Sequence, residues 1–340
     1  MENMRNSNIF ILFSFLILIF RFSNALDCSS PPKVIDVNQS GQGGSFTTIQ
    51  SAIDSIPEPN TQWTHIRISA GIYIENVVID QNTPCIFLEG TGSYSTIIQG
   101  SKHKKSGLRD AVTFVSLADD IVAKDIAFEN TYNHPSFAHV NVADVIPALA
   151  AEVRGNRIAF YNCSFKGVQD TLWNNTGLHY YNHCYIQGAV DFIYGDGQSI
   201  YQKCTIKFTR GIDEPNKDGI ITAQKRHSPD STTGFVFKEC NITGTNDKAQ
   251  LGRAYGPYSK VIIANSYLSN VVQPEGWSNW EKAVEHLTYV EVNNTGPGAE
   301  NSKHVKWMKT LSENELKSFL DISYVDKDGW IAKQRSVNNF

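Results

Sequence analysis

Beyond its first 25 residues the 340-residue chain has no apolar run long enough to cross a bilayer. An excess of positive charge is missing too. Thirty Lys and Arg stand against 34 Asp and Glu, for a net charge of −4. Such a balance offers no electrostatic footprint for nucleic acid. The His residues do not fall at metal-ligand spacing with Cys or acidic partners, so no metal is expected. His134, His139 and His227 therefore read as surface or hydrogen-bonding residues. Long stretches of helical periodicity are scarce, and no Pro- or Gly-rich linker divides the chain. What remains is 41% hydrophobic and 19% charged, the composition of one soluble globular domain.

The N-terminus is the exception. Arg5, the apolar run Ile9–Phe20 and the small-residue site Ser23–Ala25 read as a secretory signal peptide over residues 1–25. The mature domain is then 26–340, with no membrane segment left. Its six Cys enter an oxidising compartment where disulfides form. Five N-x-S/T sequons, at Asn38, Asn162, Asn174, Asn241 and Asn293, are candidate glycan acceptors. Asn162 and Asn241 sit beside core-like Cys positions and are the weaker two.

Six short segments rich in β-branched and aromatic residues recur along the chain: 120–128, 157–165, 178–186, 198–206, 234–242 and 260–268. Gly, Asn and Asp fill the gaps between them. Repeats at such periods indicate a solenoid. Short strands without helical gaps predict an all-β, right-handed parallel β-helix. Cys163, Cys184, Cys204 and Cys240 share one repeat position and should stack as a column inside it. Two readings stay open for that column: a ladder of buried thiols, or a bridge between neighbouring rungs, Cys184–Cys204 first. The pairing of Cys28 and Cys85 is not legible. Helices are expected to cap the ends. Ile49, Ala52, Ile53 and Ile56 carry one helical face, and Ser312 with Glu315 forms a capping box bracketed by Leu311 and Leu316.

Two repeats share more than their strands. In "CSFKGVQDTLW" and "CYIQGAVDFIY" a Gly follows the Cys by four residues and an Asp by seven. If Cys163 and Cys184 stack, so do Asp170 and Asp191. Two carboxylates about one strand spacing apart, ~4.8 Å, do not both ionise easily. One then serves as a general acid and its neighbour as an anionic nucleophile. The stretches 129–149 and 209–229 are long for β-helix turns and should wall a groove beside this pair. The basic run Ser101–Asp110 reads as a solvated loop more than as a polyanion contact.

The motifs "VQDTLW", "VDFIYG" and "LGRAY", with "GGSFTTIQSAIDSIP", "DIAFENT", "EGWSNW" and "YVEVNNTGPGA", resemble the plant pectin methylesterases, carbohydrate esterases on a right-handed parallel β-helix. The resemblance covers nearly all of the mature chain, in a short form without an inhibitor-like pro-region. It implies that Asp191 is the nucleophile toward galacturonate methyl ester and that Asp170 is the acid, then base. It further implies that Gln169 supports the oxyanion and that Arg253 holds the nucleophile. Trp173, Tyr194, Tyr255 and Trp277 match groove aromatics that bind the sugar chain. No cofactor is implied. The expected substrate is methyl-esterified homogalacturonan (pectin), acted on by a monomer in the plant cell wall, with a proteinaceous methylesterase inhibitor as a candidate partner.

Three departures matter. A second oxyanion amide common in the family falls here on Pro147, which has neither a side-chain donor nor an N–H. "LGRAY" puts Tyr255 where a Trp is usual, and Trp173 replaces a Tyr. Pro147 leaves an alternative reading open, a weak or inactive pectin-binding wall protein. A different β-helix enzyme, a galacturonan hydrolase or lyase, lacks the second acidic cluster or calcium-type site it would need.

Overall fold

The computed structural model describes residues 28–338 apart from 104–110, 134–144, 210–218 and 246–247. The charged part of the basic run beyond Lys102, His134 and His139, and the centres of both long loops lie outside the described residues. Strands stack in parallel and in register into three sheets of ten, eight and eight strands. Each complete coil gives one strand to each sheet. One coil runs Leu149–Val153, Ile158–Tyr161 and Ser164–Lys166, and the next runs Leu172–Asn174, Leu178–Asn182 and Tyr185–Gly188. The chain is thus a parallel β-helix, and all six repeat segments fall in its ten-stranded sheet and the sheet that follows it. No helix among the described residues is long and apolar enough to cross a membrane.

Register explains the repeat. With coils in step, like residues meet like residues along the solenoid. Phe165, Ile186, Ile206, Ile242 and Leu268 pair rung to rung and are buried. Beside them Phe160, Tyr181, Tyr201 and Phe237 stack face to face, with centroids 5.1, 4.5 and 4.5 Å apart. Offset stacks of this kind contribute roughly 0.5–1.5 kcal/mol per pair beyond their buried area.

The Cys column is real, and its thiols are free. Each of the four follows a left-handed residue, Asn162, His183, Lys203 or Glu239, which turns the chain from the ten-stranded sheet into the next. The thiols donate to carbonyls of the preceding coil: Cys184 to Phe160 O at 3.4 Å, Cys204 to Tyr181 O at 3.5 Å and Cys240 to Tyr201 O at 3.2 Å. The Cys184–Cys204 bridge does not form, because each sulfur is spent filling its own corner. The disulfide is Cys28–Cys85, with Cα atoms 5.8 Å apart. It ties the first strand, Ser29–Val37, to the coil that begins at Ile86. Burial pushes the Cys163 and Cys204 thiols well up. A thiol-specific reagent should therefore find no reactive Cys in the folded protein and four after unfolding without reductant. Two after unfolding would instead mean a bridge in the column.

Helix α1 (Ile49–Asp54) is capped by Thr48, which accepts from Ser51 N, and buries Ile49, Ala52 and Ile53 against the first coil. The C-terminal helices do something else. Helix α2 (Glu313–Leu320) has the expected capping box between Ser312 and Glu315. With helix α3 (Trp330–Asn338) it lies along the outer face of the ten-stranded sheet instead of closing an end. The reason is that face's own side chains. Phe87, Val122, Ala159, Ile200, Val236 and Ile262 point outward and need cover, and Tyr324, Val325, Trp330 and Ile331 supply it. The sequons also sort themselves. Asn162, Asn241 and Asn293 are exposed, whereas Asn174 is fully buried and donates to Ser199 Oγ at 2.6 Å and Tyr201 Oη at 2.7 Å.

Candidate active site

The site lies on the sheet built from Leu149–Val153, Leu172–Asn174, Ile193–Gly195, Gly219–Gln224 and Ala249–Arg253. Asp170 and Asp191 sit at equivalent corners leading into it. Gln169 and Val190 bridge in parallel, and the Asp170 N–H donates to Val190 O at 3.0 Å, so the two Asp residues occupy adjacent rungs. Both are left-handed, with φ 61° and 48°, a conformation Asp tolerates better than most residues. The Gly four residues after each Cys now has its reason. A Cβ on Gly188 would stand 2.2 Å from Phe192 Cβ, and one on Gly167 would stand 2.8 Å from Thr171 Oγ1. Without that close approach the corner could not turn the Asp toward the cleft.

Arg253 reaches Asp191 from two rungs away. Its Nε donates to Oδ1 at 2.8 Å and its Nη2 to Oδ2, a two-point clamp. Between them lies Ala223, paired with Tyr194 on one side and next to Thr222, which pairs with Gly252 on the other. A larger residue there would fill the path of the guanidinium. Asp191 is 8% exposed. Burial pushes its carboxyl above the ordinary value, and the hydrogen bonds and charge of Arg253 pull it back. These groups face a cleft of about 360 Å³, lined also by Pro147, Trp173 and Tyr255. Gln169 opens onto the cleft, and its side-chain amide has no partner among the described residues. Pro147 is held beside it, since the next N–H, of Ala148, donates to Gln169 O at 3.2 Å.

A pectinesterase family model matches residues 34–328. The chain is 44% identical to probable pectinesterase 55 of Arabidopsis thaliana over 316 residues, 90% of this chain and 94% of that one. To probable pectinesterase 29 of the same plant it is 45% identical over 298 residues, 87% and 88% of the two chains. The pectin methylesterase from carrot superposes with a TM-score of 0.81 at 30% identity, covering 90% of this chain and 97% of the other. The chain belongs to the pectinesterase family. It is a carboxylic ester hydrolase on the family's parallel β-helix.

Seven of the eight candidate site residues of this pectinesterase line one cleft: Gln169, Asp170, Trp173, Asp191, Tyr194, Arg253 and Tyr255. Trp173 stacks on Tyr194 at 5.5 Å across the paired rungs, with the Arg154 guanidinium 5.4 Å over the indole. Trp277 is the correction. It is 1% exposed, packs on Tyr289 at 4.6 Å and donates its indole N–H to Glu291 Oε1 at 2.8 Å. Its short strand pairs Trp277 with Gly252 and so turns the ring inward, under the glycine. The wall position falls to Trp280, which the sequence reading passed over. Trp280 has φ 44°, rare for a bulky residue, and the strain aims its ring at the cleft. Arg253 stacks on it with Cζ 3.7 Å from the ring centroid, and Tyr255 stacks on it with centroids 5.8 Å apart. The signal was present as the second Trp of "EGWSNW".

The clamp gives a pH prediction. With Asp191 as the attacking carboxylate, the expected result is that activity falls as pH drops through its raised pKa. Arg253 lowers that pKa; removing it raises the pKa further. Arg253→Gln should therefore move the acid limb of the pH–rate profile to higher pH, besides slowing the enzyme. An unmoved acid limb would mean that Arg253 does not act through Asp191.

Proposed function

We propose that this pectinesterase hydrolyses the methyl esters of galacturonate in pectin with Asp191 as nucleophile and Asp170 as acid and base. One observation carries the assignment: a buried carboxylate clamped at two points by an arginine, with a second carboxylate on the next rung of the same cleft. Asp191 Oδ attacks the ester carbonyl carbon, and the carbonyl electron pair moves onto oxygen. The Gln169 amide donates to that oxyanion. Collapse breaks the bond to the methoxy oxygen, Asp170 gives it a proton, and methanol leaves. The acyl-enzyme is a mixed anhydride of Asp191. Water attacks it while Asp170 takes the water's proton. Collapse returns the Asp191 carboxylate, releases the galacturonic acid and leaves Asp170 protonated for the next cycle. The Arg253 clamp orients Asp191 throughout without blocking the face it presents to the cleft.

The aromatic walls, Trp173 with Tyr194 and Tyr255 with Trp280, cover the faces of sugar rings. The same reading includes removal of residues 1–25 on secretion, action as a monomer in the plant cell wall and inhibition by a proteinaceous methylesterase inhibitor. Pro147 supports a second reading, a pectin-binding protein with little turnover, because it brings no donor to the cleft beside Gln169. Methanol release separates the two. With Gln169 as the side-chain donor, Gln169→Ala should cost roughly 10²–10³ in kcat. Pro147→Gln should raise kcat, since it adds a donor to the same cleft. A Gln169→Ala enzyme as fast as wild type would remove Gln169 from the oxyanion role.

A further inference from the structure

Asn241 begins the strand Asn241–Gly244, on the one sheet that lends no residue to the cleft. Alternation along the strand turns Asn241 and Thr243 outward and Ile242 into the core. Both functional groups of an N-x-T sequon therefore share one open face. The Asn241 side chain makes no hydrogen bond among the described residues. Asn162 differs: its amide donates to Asp125 Oδ1, and its Ser164 is buried with Oγ donating to Ser93 O at 3.4 Å. Of the five sequons only Asn241 has an exposed aromatic ring as its register partner, Tyr267 on the next rung. Tyr267 is 46% exposed. Its ring lies against the following turn of chain, where a Cβ on Gly296 would stand 2.7 Å from Tyr267 Cε2. One face is thus covered, and the other is open toward the Asn241 rung.

Register partners stand ~4.8 Å apart, so a sugar on Asn241 Nδ2 has the reach to lie on that open face. We propose that Asn241 is an N-glycosylation site whose first sugar docks on Tyr267 and fastens the last rung of this sheet. The inference rests on the secretion reading, since the sugar is added as the chain enters the secretory compartment. There a lipid-linked oligosaccharide pyrophosphate is the donor. Asn241 Nδ2 bonds to C1 of its N-acetylglucosamine, the C1–O bond to pyrophosphate breaks, the lipid pyrophosphate leaves with the electron pair, and the amide nitrogen gives up a proton. The strand Tyr267–Leu268 has two residues and stands at the sheet's edge. A glycan beside it also shields that edge from pairing with another chain.

The test expresses the full chain in plant cells and collects it from the medium. Glycans are released enzymatically in heavy-oxygen water, and mass spectrometry reads which Asn has become labelled Asp. The label should appear at Asn241. A secreted protein without it there would overturn the inference and leave the secretion reading standing. A chain found only inside the cell, without glycan, would overturn that reading and this inference with it. Asn241→Gln and Thr243→Ala each abolish the sequon and should each lower the melting temperature by about 2 °C, the shift expected for one ring contact in a domain of this size. Trimming the glycan to its first sugar should leave the melting temperature in place. In a Tyr267→Thr background the proteins with and without the glycan should melt alike. An equal drop in that background would overturn the docking on Tyr267. Methanol release should be unchanged in all of these variants, because the face lies away from the cleft.

Discussion

Methanol release falls by about 10⁴ or more when Asp191 is replaced by Ala. Losses of this size accompany removal of a residue that forms the covalent bond, because the remaining groups then act only on direct attack by water. The fold has little reason to suffer. Burial pushes the Asp191 carboxyl up and Arg253 pulls it only partly back, so its charge is held at a cost. Arg253 keeps its stack on Trp280 after the carboxylate is gone, and its side chain retains 23% exposure to water. Asp191→Asn preserves the shape while removing the anion and should be equally slow. Circular dichroism and a melting temperature close to wild type would show that the loss is chemical. A variant that keeps a tenth of wild-type kcat would remove Asp191 from the nucleophile's role.

Asp170→Asn comes next in size, with an expected loss of roughly 10²–10⁴, the usual contribution of a positioned acid and base. The two halves of its role can be separated. Methoxide is a poor leaving group and needs the proton. A nitrophenyl ester of galacturonate leaves as a stable anion and does not. On that substrate the variant should give a rapid burst of nitrophenol, because acylation by Asp191 no longer requires Asp170. Slow turnover should follow, because deacylation still lacks its base. A variant slowed equally on both esters, without a burst, would place Asp170 outside proton transfer.

Much of this arrangement was legible in the chain because a parallel β-helix keeps its coils in register. The equal Cys-to-Asp spacing placed Asp170 and Asp191 on adjacent rungs before any coordinates, and the aromatic ladder from Phe160 to Phe237 follows from the same alignment. Arg253 lies 62 residues from Asp191, and no periodicity links the two. Only the family resemblance brought it in. Where the alignment ran out, local geometry decided. Trp277 and Trp280 lie three residues apart in one motif, but the strand Trp277–Ser278 turns the first inward and the left-handed backbone at Trp280 turns the second to the cleft. Rung spacing permits a Cys bridge as readily as a thiol ladder, so it could not choose between them. Asn174 carries a sequon yet points into the solenoid, since it lies on a strand, whereas Asn162 and Asn293 occupy outward left-handed corners. Helix α2 announced its cap in sequence but not its resting place, which depends on apolar residues scattered over nine strands.

The central claim is that this cleft cleaves the methyl ester and leaves the sugar backbone whole, despite Pro147. The most direct measurement gives the secreted wild-type protein highly methylated pectin and follows methanol, new carboxylate and polymer length together. Methanol and carboxylate should appear in equal amounts while chain length stays constant. No methanol from a folded protein, or methanol-free shortening of the chain, would contradict it.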